Sequence, residues 1–219
     1  MPRVPASPPP PSGSDPAPDA TDPALAFPFI GGRSCLDFVA TLGKRHGVTP
    51  LERLPDPAAL ARWIGEAGLH TPDETAPLHV TPGDLTHARA LREAVHRLVR
   101  AAMDGETPEP EDVAEVNGAA ARADLAPQLG TAETGAVPPL HWKADRPGPA
   151  ALATVARDAV LLLGGPLSAR VKECENPTCS LLFLDDSQAR RRRWCSMDRC
   201  GNLAKVAGYR NRSRAASTR

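Results

Sequence analysis

The chain has 219 residues, no net charge at neutral pH, 41% apolar content and only 4% aromatic content. That length suits one ordinary domain plus a small module, with a core made mostly of Ala, Leu and Val. No run of 18 apolar residues occurs, and the N-terminus lacks the pattern of a secretory signal, so no membrane span is expected and the expected location is cytoplasmic.

The neutral total hides two opposed segments. Met1–Gly165 carries 14 basic and 21 acidic residues, whereas Pro166–Arg219 carries 12 and 5. A basic end of this kind suits a polyanionic partner; a solvated basic tail is the plainer alternative.

Residues 1–24 read as a disordered Pro-rich extension. Ten of the chain's 25 prolines precede Ile30, and the segment has no apolar period to offset the cost of ordering. Structure is expected to start near Leu25, ahead of a turn at Gly31-Gly32. Residues 34–42 form a short apolar element, read as helical. Asp56 and Pro57 open the next helix, with Leu60, Trp63, Ile64 and Ala67 at helical spacing and Gly68 closing it.

The strongest helical pattern runs from Pro82 to Met103, capped by Thr81, with Leu85, Ala88, Leu91, Val95, Leu98, Val99 and Ala102 on one stripe. Arg89, Arg92, Arg97 and Arg100 are read as its solvated side. A shorter helix follows over about 109–121, then a β-hairpin within 125–142, where Leu140 and Trp142 alternate. A last helix spans about 149–163 and is stopped by Gly164-Gly165-Pro166, which marks a boundary. The division is therefore a mainly helical domain over 25–165 and a small basic module over 166–219.

The module carries Cys174-x4-Cys179 and Cys195-x4-Cys200. Two cysteine pairs separated by a loop meet the demand of a tetrahedral zinc ion: each pair gives two thiolates from one turn, and the loop brings the pairs together. Four thiolates close the coordination shell, so the expected cofactor is one structural Zn2+, not a catalytic one. Leu181–Leu184 read as a strand paired with Arg190–Trp194. Ser196 caps a helix over 197–209 with Cys200 in its first turn, completing a treble-clef-like finger. Trp194 is expected to pack with Phe183 under the metal. Cys35 has no partner at ligand spacing and reads as a buried core thiol. The six histidines are scattered, without metal or triad spacing.

Arg193-Trp194-Cys195-Ser196-Met197-Asp198-Arg199-Cys200-Gly201-Asn202, followed by Lys205 and Tyr209-Arg210, resembles the CGNR-type zinc finger of bacterial regulators. Phe27-Pro28-Phe29-Ile30-Gly31-Gly32, Cys35-Leu36-Asp37-Phe38-Val39, Leu91-Arg92-Glu93 and Val155-Ala156-Arg157-Asp158-Ala159 resemble the ABATE domain that precedes it. The resemblance covers roughly residues 25–213 and implies a stress-linked transcription regulator with a DNA-binding finger. The chain departs from that pattern at Leu203, where the family has Arg, and at Ala40, where it usually has Asn.

The candidate nucleic-acid contacts are Arg190, Arg191, Arg192, Arg193, Arg199, Lys205, Arg210, Arg212 and Arg214, because a guanidinium fork suits phosphate. On an ideal helix Arg199, Arg210 and Arg214 fall within about 60° of one another. The opposing reading is that several of them only offset the thiolate charge. The helical domain has no phosphate loop, nucleophile elbow or dinucleotide fingerprint, so an enzyme is not expected. Asp37, Arg33 and Trp142 are candidates for a small pocket, with core and surface roles as equal alternatives. By analogy the domain senses a small-molecule effector or forms a homodimer. Two functions remain: DNA binding through the finger, or a zinc-dependent protein–protein module docking an acidic partner.

Overall fold

Helix starts follow capping chemistry. In the computed structural model, which describes residues 25–70, 78–132 and 134–206, α1 (Ser34–Val39) is the first helix, short and without a cap from the Arg33 side chain, its Cys35 N–H donating instead to the distant Asp158 carboxylate at 2.9 Å. α2 (Pro57–Glu66) opens on Asp56, whose carboxylate accepts the Ala59 N–H at 2.8 Å. α3 (Pro82–Asp104) opens on a reciprocal box, in which Asp84 N–H donates to Thr81 Oγ1 at 3.1 Å and Thr81 N–H to Asp84 Oδ2 at 3.0 Å. It ends on Gly105 in the left-handed conformation. α4 (Pro110–Ala120) and α5 (Pro147–Leu163) complete the set. The extension 1–24, and with it Tyr209, Arg210, Arg212 and Arg214, lie outside the described residues.

Three antiparallel two-stranded ribbons occur among the described residues. β1 (Leu42–Gly43) pairs with β2 (Leu51–Glu52), and β3 (Ala126–Leu129) with β4 (Leu140–Lys143). The latter is the hairpin expected within 125–142. β5 (Val171–Glu173) pairs with β6 (Leu182–Leu184), Val171 opposite Leu184. This corrects the pairing expected for the 181–184 strand. Its partner is β5, not Arg190–Trp194, because Arg190 takes a left-handed backbone (φ 50°) and turns that segment away from a ladder.

The main core lies where α1, α2, α3 and α5 meet, around Trp63, Phe38, Leu36, Leu60, Leu91, Val95 and Leu162. The Phe38 and Trp63 rings are 5.0 Å apart. α5 buries Ala150, Ala151, Ala153, Val155, Ala156 and Ala159, and small side chains let its neighbours approach closely.

Side chains on a strand alternate between faces, and β6 uses both. Leu182 and Leu184 belong to the main core, whereas Phe183 belongs to a second cluster with Ala40, Leu181 and three of the cysteines. The Gly31-Gly32 turn reaches the same strand: Gly31 C=O accepts the Leu184 N–H at 2.8 Å, and a Cβ on Gly31 would come within 2.9 Å of the Leu36 Cβ. Only a residue without a side chain lets the turn sit that close. The two clusters therefore share one strand as a wall.

Arg92 of α3 corrects another expectation. Arg92 is 3% exposed and not on a solvated side: it bonds Glu52 at 2.7 and 2.8 Å and Glu93 at 2.8 Å. Arg97 pairs with Asp112 at 2.5 Å, Arg100 with Glu173 at 2.6 Å, and Arg89 donates to the Leu54 carbonyl. α3 is flanked on its polar side by β2, α4 and β5, so its arginines join elements; of the four, Arg92 alone is buried, while the Arg97 side chain stays 57% exposed.

Candidate metal centre and its basic surround

Cys174 leaves β5 with its N–H on the Leu181 carbonyl at 3.0 Å. The Asn176-Pro177-Thr178 turn then brings Cys179 back. Asn176 Oδ1 accepts the Thr178 N–H at 3.1 Å, and the Asn176 carbonyl accepts the Cys179 N–H at 2.8 Å. On the far side, Ser196 Oγ accepts the Arg199 N–H at 3.1 Å and caps a π-helical turn, Met197–Gly201, that presents Cys200. Helical residues continue from it to 206.

These turns bring the four sulfurs of Cys174, Cys179, Cys195 and Cys200 within 4.8 Å of one another. Zinc bound tetrahedrally at about 2.3 Å from each sulfur sets neighbouring sulfurs about 3.8 Å apart. The cluster has that size, and its all-thiol donor set is soft and closed, which suits zinc. No histidine or carboxylate belongs to the group. The four cysteines can hold one zinc ion. Backbone and side-chain donors already point at the sulfurs: Cys195 N–H lies 3.4 Å from Cys174 Sγ, and Asn176 Nδ2 lies 3.3 Å from Cys200 Sγ.

The electrostatics also call for a cation. A hydrogen bond from the Cys195 thiol draws the Cys179 pKa down to about 5. The same bond, with burial, pushes Cys195 well up, and burial lifts Cys174 to about 11. Four thiolates packed this closely require a metal cation to hold them together. Cys35, by contrast, is a fully buried core thiol away from this group, as expected.

The approach to Cys195 hangs on a residue that sequence reasoning missed. Asp185 is fully buried and accepts from Lys172 Nζ at 2.6 Å, Ser187 Oγ at 2.5 Å, Ser187 N–H at 3.1 Å and Arg192 N–H at 3.0 Å. The Lys172 ammonium, foremost, holds the Asp185 carboxyl far below the usual carboxylate range. Lys172 also reaches the Arg190 carbonyl at 2.7 Å. The signal in the sequence was Asp185-Asp186-Ser187, a turn whose acid bonds the serine two residues on.

Five of the nine candidate cations are exposed: Arg190, Arg191, Arg193, Arg199 and Lys205. Arg193 pairs with Glu175 at 2.5 Å and lies over the Trp194 ring. Arg192 is turned inward. Its guanidinium stacks on Phe183 at 4.4 Å and donates to the carbonyls of Trp194 and Cys195. Trp194 packs against the cluster that contains Phe183, as expected. Arg210, Arg212 and Arg214 lie outside the described residues.

Comparison with known families agrees with this arrangement. A family model for the ABATE domain, described as "Putative stress-induced transcription regulator", matches residues 32–166. The chain belongs to the ABATE family. The model described as "CGNR zinc finger" matches residues 170–213, the region holding the four thiols. A comparison with curated proteins finds no significant match.

In this ABATE protein the three pocket candidates have separate structural roles. Asp37 accepts the Gly31 N–H at 2.7 Å, and burial lifts its pKa to about 6. Arg33 pairs with Asp158 at 2.5 Å, and the Trp142 indole donates to the Gly68 carbonyl at 2.6 Å. Of the two departures, Ala40 is buried beside the thiols and Leu203 is exposed on the helical stretch after Cys200. No helix among the described residues is long and apolar enough to cross a membrane.

Proposed function

We propose that this ABATE protein is a transcription regulator that binds DNA through its finger, with Cys174, Cys179, Cys195 and Cys200 as the ligands of a structural zinc. The observation that carries the reading is the set of exposed cations in the segment that holds the second cysteine pair. Arg190, Arg191, Arg199 and Lys205 form no ion pair among the described residues, and Arg193 has only a surface pair with Glu175. Surface pairs of that kind contribute little and exchange readily for phosphate. Arg210, Arg212 and Arg214 extend the positive charge along the chain. Arg192 braces the finger and does not join the interface.

Backbone phosphate contacts of this type position a protein on any duplex, while base contacts specify the site. The test compares zinc-loaded wild type with Arg191→Ala/Arg193→Ala by fluorescence anisotropy on several unrelated duplexes. The reading expects the double variant to bind all of them more weakly, with zinc content unchanged. Equal affinity of both proteins for every duplex contradicts it, and would favour the acidic-protein docking module. Leu203→Arg restores the family residue and is expected to tighten binding if position 203 faces phosphate.

A further inference from the structure

A cleft of about 250 Å3 lies between the β1–β2 ribbon and the Cys174–Cys179 knuckle. Its cationic lining is Lys44, Arg53 and Arg199, with no aspartate or glutamate; Cys179 and Cys200 of the thiol cluster border it, and Leu42, Leu181 and Leu203 supply apolar wall. That volume admits a small molecule and no folded element.

Arg53 sets this cleft apart. Its side chain is buried, at 6% exposed for the residue, and only Nη1 has a bond, to the Ala40 carbonyl at 3.2 Å. Nε has no partner among the described residues. The guanidinium lies against Gly43, where any Cβ would meet Nη1 at 2.6 Å. Other arginines of the helical region are matched to carboxylates: Arg33 to Asp158, Arg45 to Glu93, Arg92 to Glu52, Arg97 to Asp112 and Arg100 to Glu173. Arg53 forms no ion pair among the described residues, although Glu52 is its neighbour in sequence; Glu52 is committed to Arg92 on both oxygens.

A buried guanidinium with one neutral acceptor is costly unless something negative completes it. Burial first, and then the charge of Arg199, disfavour its charged form; Cys179 and Glu52 act the other way without cancelling them. Zinc with four thiolates at the edge of the cleft offsets part of this charge, and three cations facing no carboxylate leave unmatched positive charge for an anion from outside the chain. We propose that this cleft binds a small organic anion, its carboxylate or phosphate head on Arg53 and Arg199 and a short apolar body against Leu42, Leu181 and Leu203. A role for that anion as the effector of the regulator rests on the DNA-binding reading, because Arg199 serves both surfaces; the binding itself does not.

The measurement is isothermal titration of the zinc-loaded full chain, without DNA, in a low-chloride buffer. The probes are benzoate, phenyl phosphate and the neutral benzyl alcohol. At least one anion is expected to bind and benzyl alcohol is not. Arg53→Gln and Arg199→Gln should each weaken the anion at least fivefold, and Leu203→Glu, at an exposed rim position, should do the same by repulsion. Leu203→Glu and Arg199→Gln decide the matter should Arg53→Gln fail to fold. No binding of either anion to wild type overturns the proposal, as does affinity unchanged in both exposed-site variants. Zinc loss in Arg53→Gln together with a wild type blind to both anions would show that Arg53 serves only the thiolate charge.

Discussion

The helical region and the finger are held by different forces. Around α3 and α5, 31 buried side chains among the described residues form one cluster, nearly all aliphatic or aromatic. The cluster around the thiols has six, and three of those are cysteines. Burial of apolar surface stabilises by about 25 cal/mol per Å2, so the first cluster supports a fold and the second does not. A module of that size needs a metal to close it. The comparison teaches that one chain can stabilise its larger part by solvent exclusion and its smaller part by coordination. β6 joins the two, with Leu182 and Leu184 in one cluster and Phe183 in the other.

The sharpest way to break this comparison is Cys195→Ala. Structural zinc contributes about 10–16 kcal/mol to small metal modules, so the variant should lose zinc and unfold the finger. Helical circular dichroism should retain a cooperative transition, with a lowered midpoint because β6 is shared. Zinc content still near one equivalent by elemental analysis would contradict the ligand assignment. Trp63→Ala probes the other side. Truncating a fully buried aromatic costs about 3–5 kcal/mol, so the main thermal transition should drop while zinc stays near one equivalent; zinc loss in step with it would mean that the two parts are one unit.

A smaller effect is expected at Asn176, which donates to Cys200 Sγ. Removing such a support typically weakens metal affinity by about 10–100-fold. Competition of Asn176→Ala against a chelator should show that loss with the helical transition unmoved. The mildest prediction concerns acid. Burial raises the pKa of Glu52 and of Glu93, but hydrogen bonds from Arg92 and Arg45 outweigh it and leave both lowered. Their unfolded forms bind protons first as pH falls, so the contribution is full above the ordinary glutamate range and is lost as pH drops through the folded values. The helical transition of Glu93→Gln should therefore decline less than wild type between neutral and acid pH; parallel curves would remove the network from the stability of the fold.

Legibility in the sequence divides along the same line. Local chemistry was readable: Asp56 and Thr81 announce their helices, the paired cysteines announce a metal, and Ser196 announces the turn that carries Cys200. Partners distant in sequence were not. Val171–Glu173 is too short to show a period, so β6 was assigned the wrong neighbour. Arg92 looks solvated in its own helix, and only the approach of Glu52 from 40 positions away buries it. Arg192 is one of four consecutive arginines, and nothing local separates it from the three that face outward. Arg53 has no signal at all, since its isolation depends on where Glu52 is spent.

The central claim, a finger that grips duplex phosphate, is tested most directly by the salt dependence of binding. Each neutralised phosphate releases counterions and adds about −0.9 to the slope of log affinity against log salt on duplex DNA. With zinc-loaded protein, Arg190, Arg191, Arg193, Arg199 and Lys205 together predict a slope of about −3 to −5. An affinity that barely changes between low and moderate salt would contradict the account.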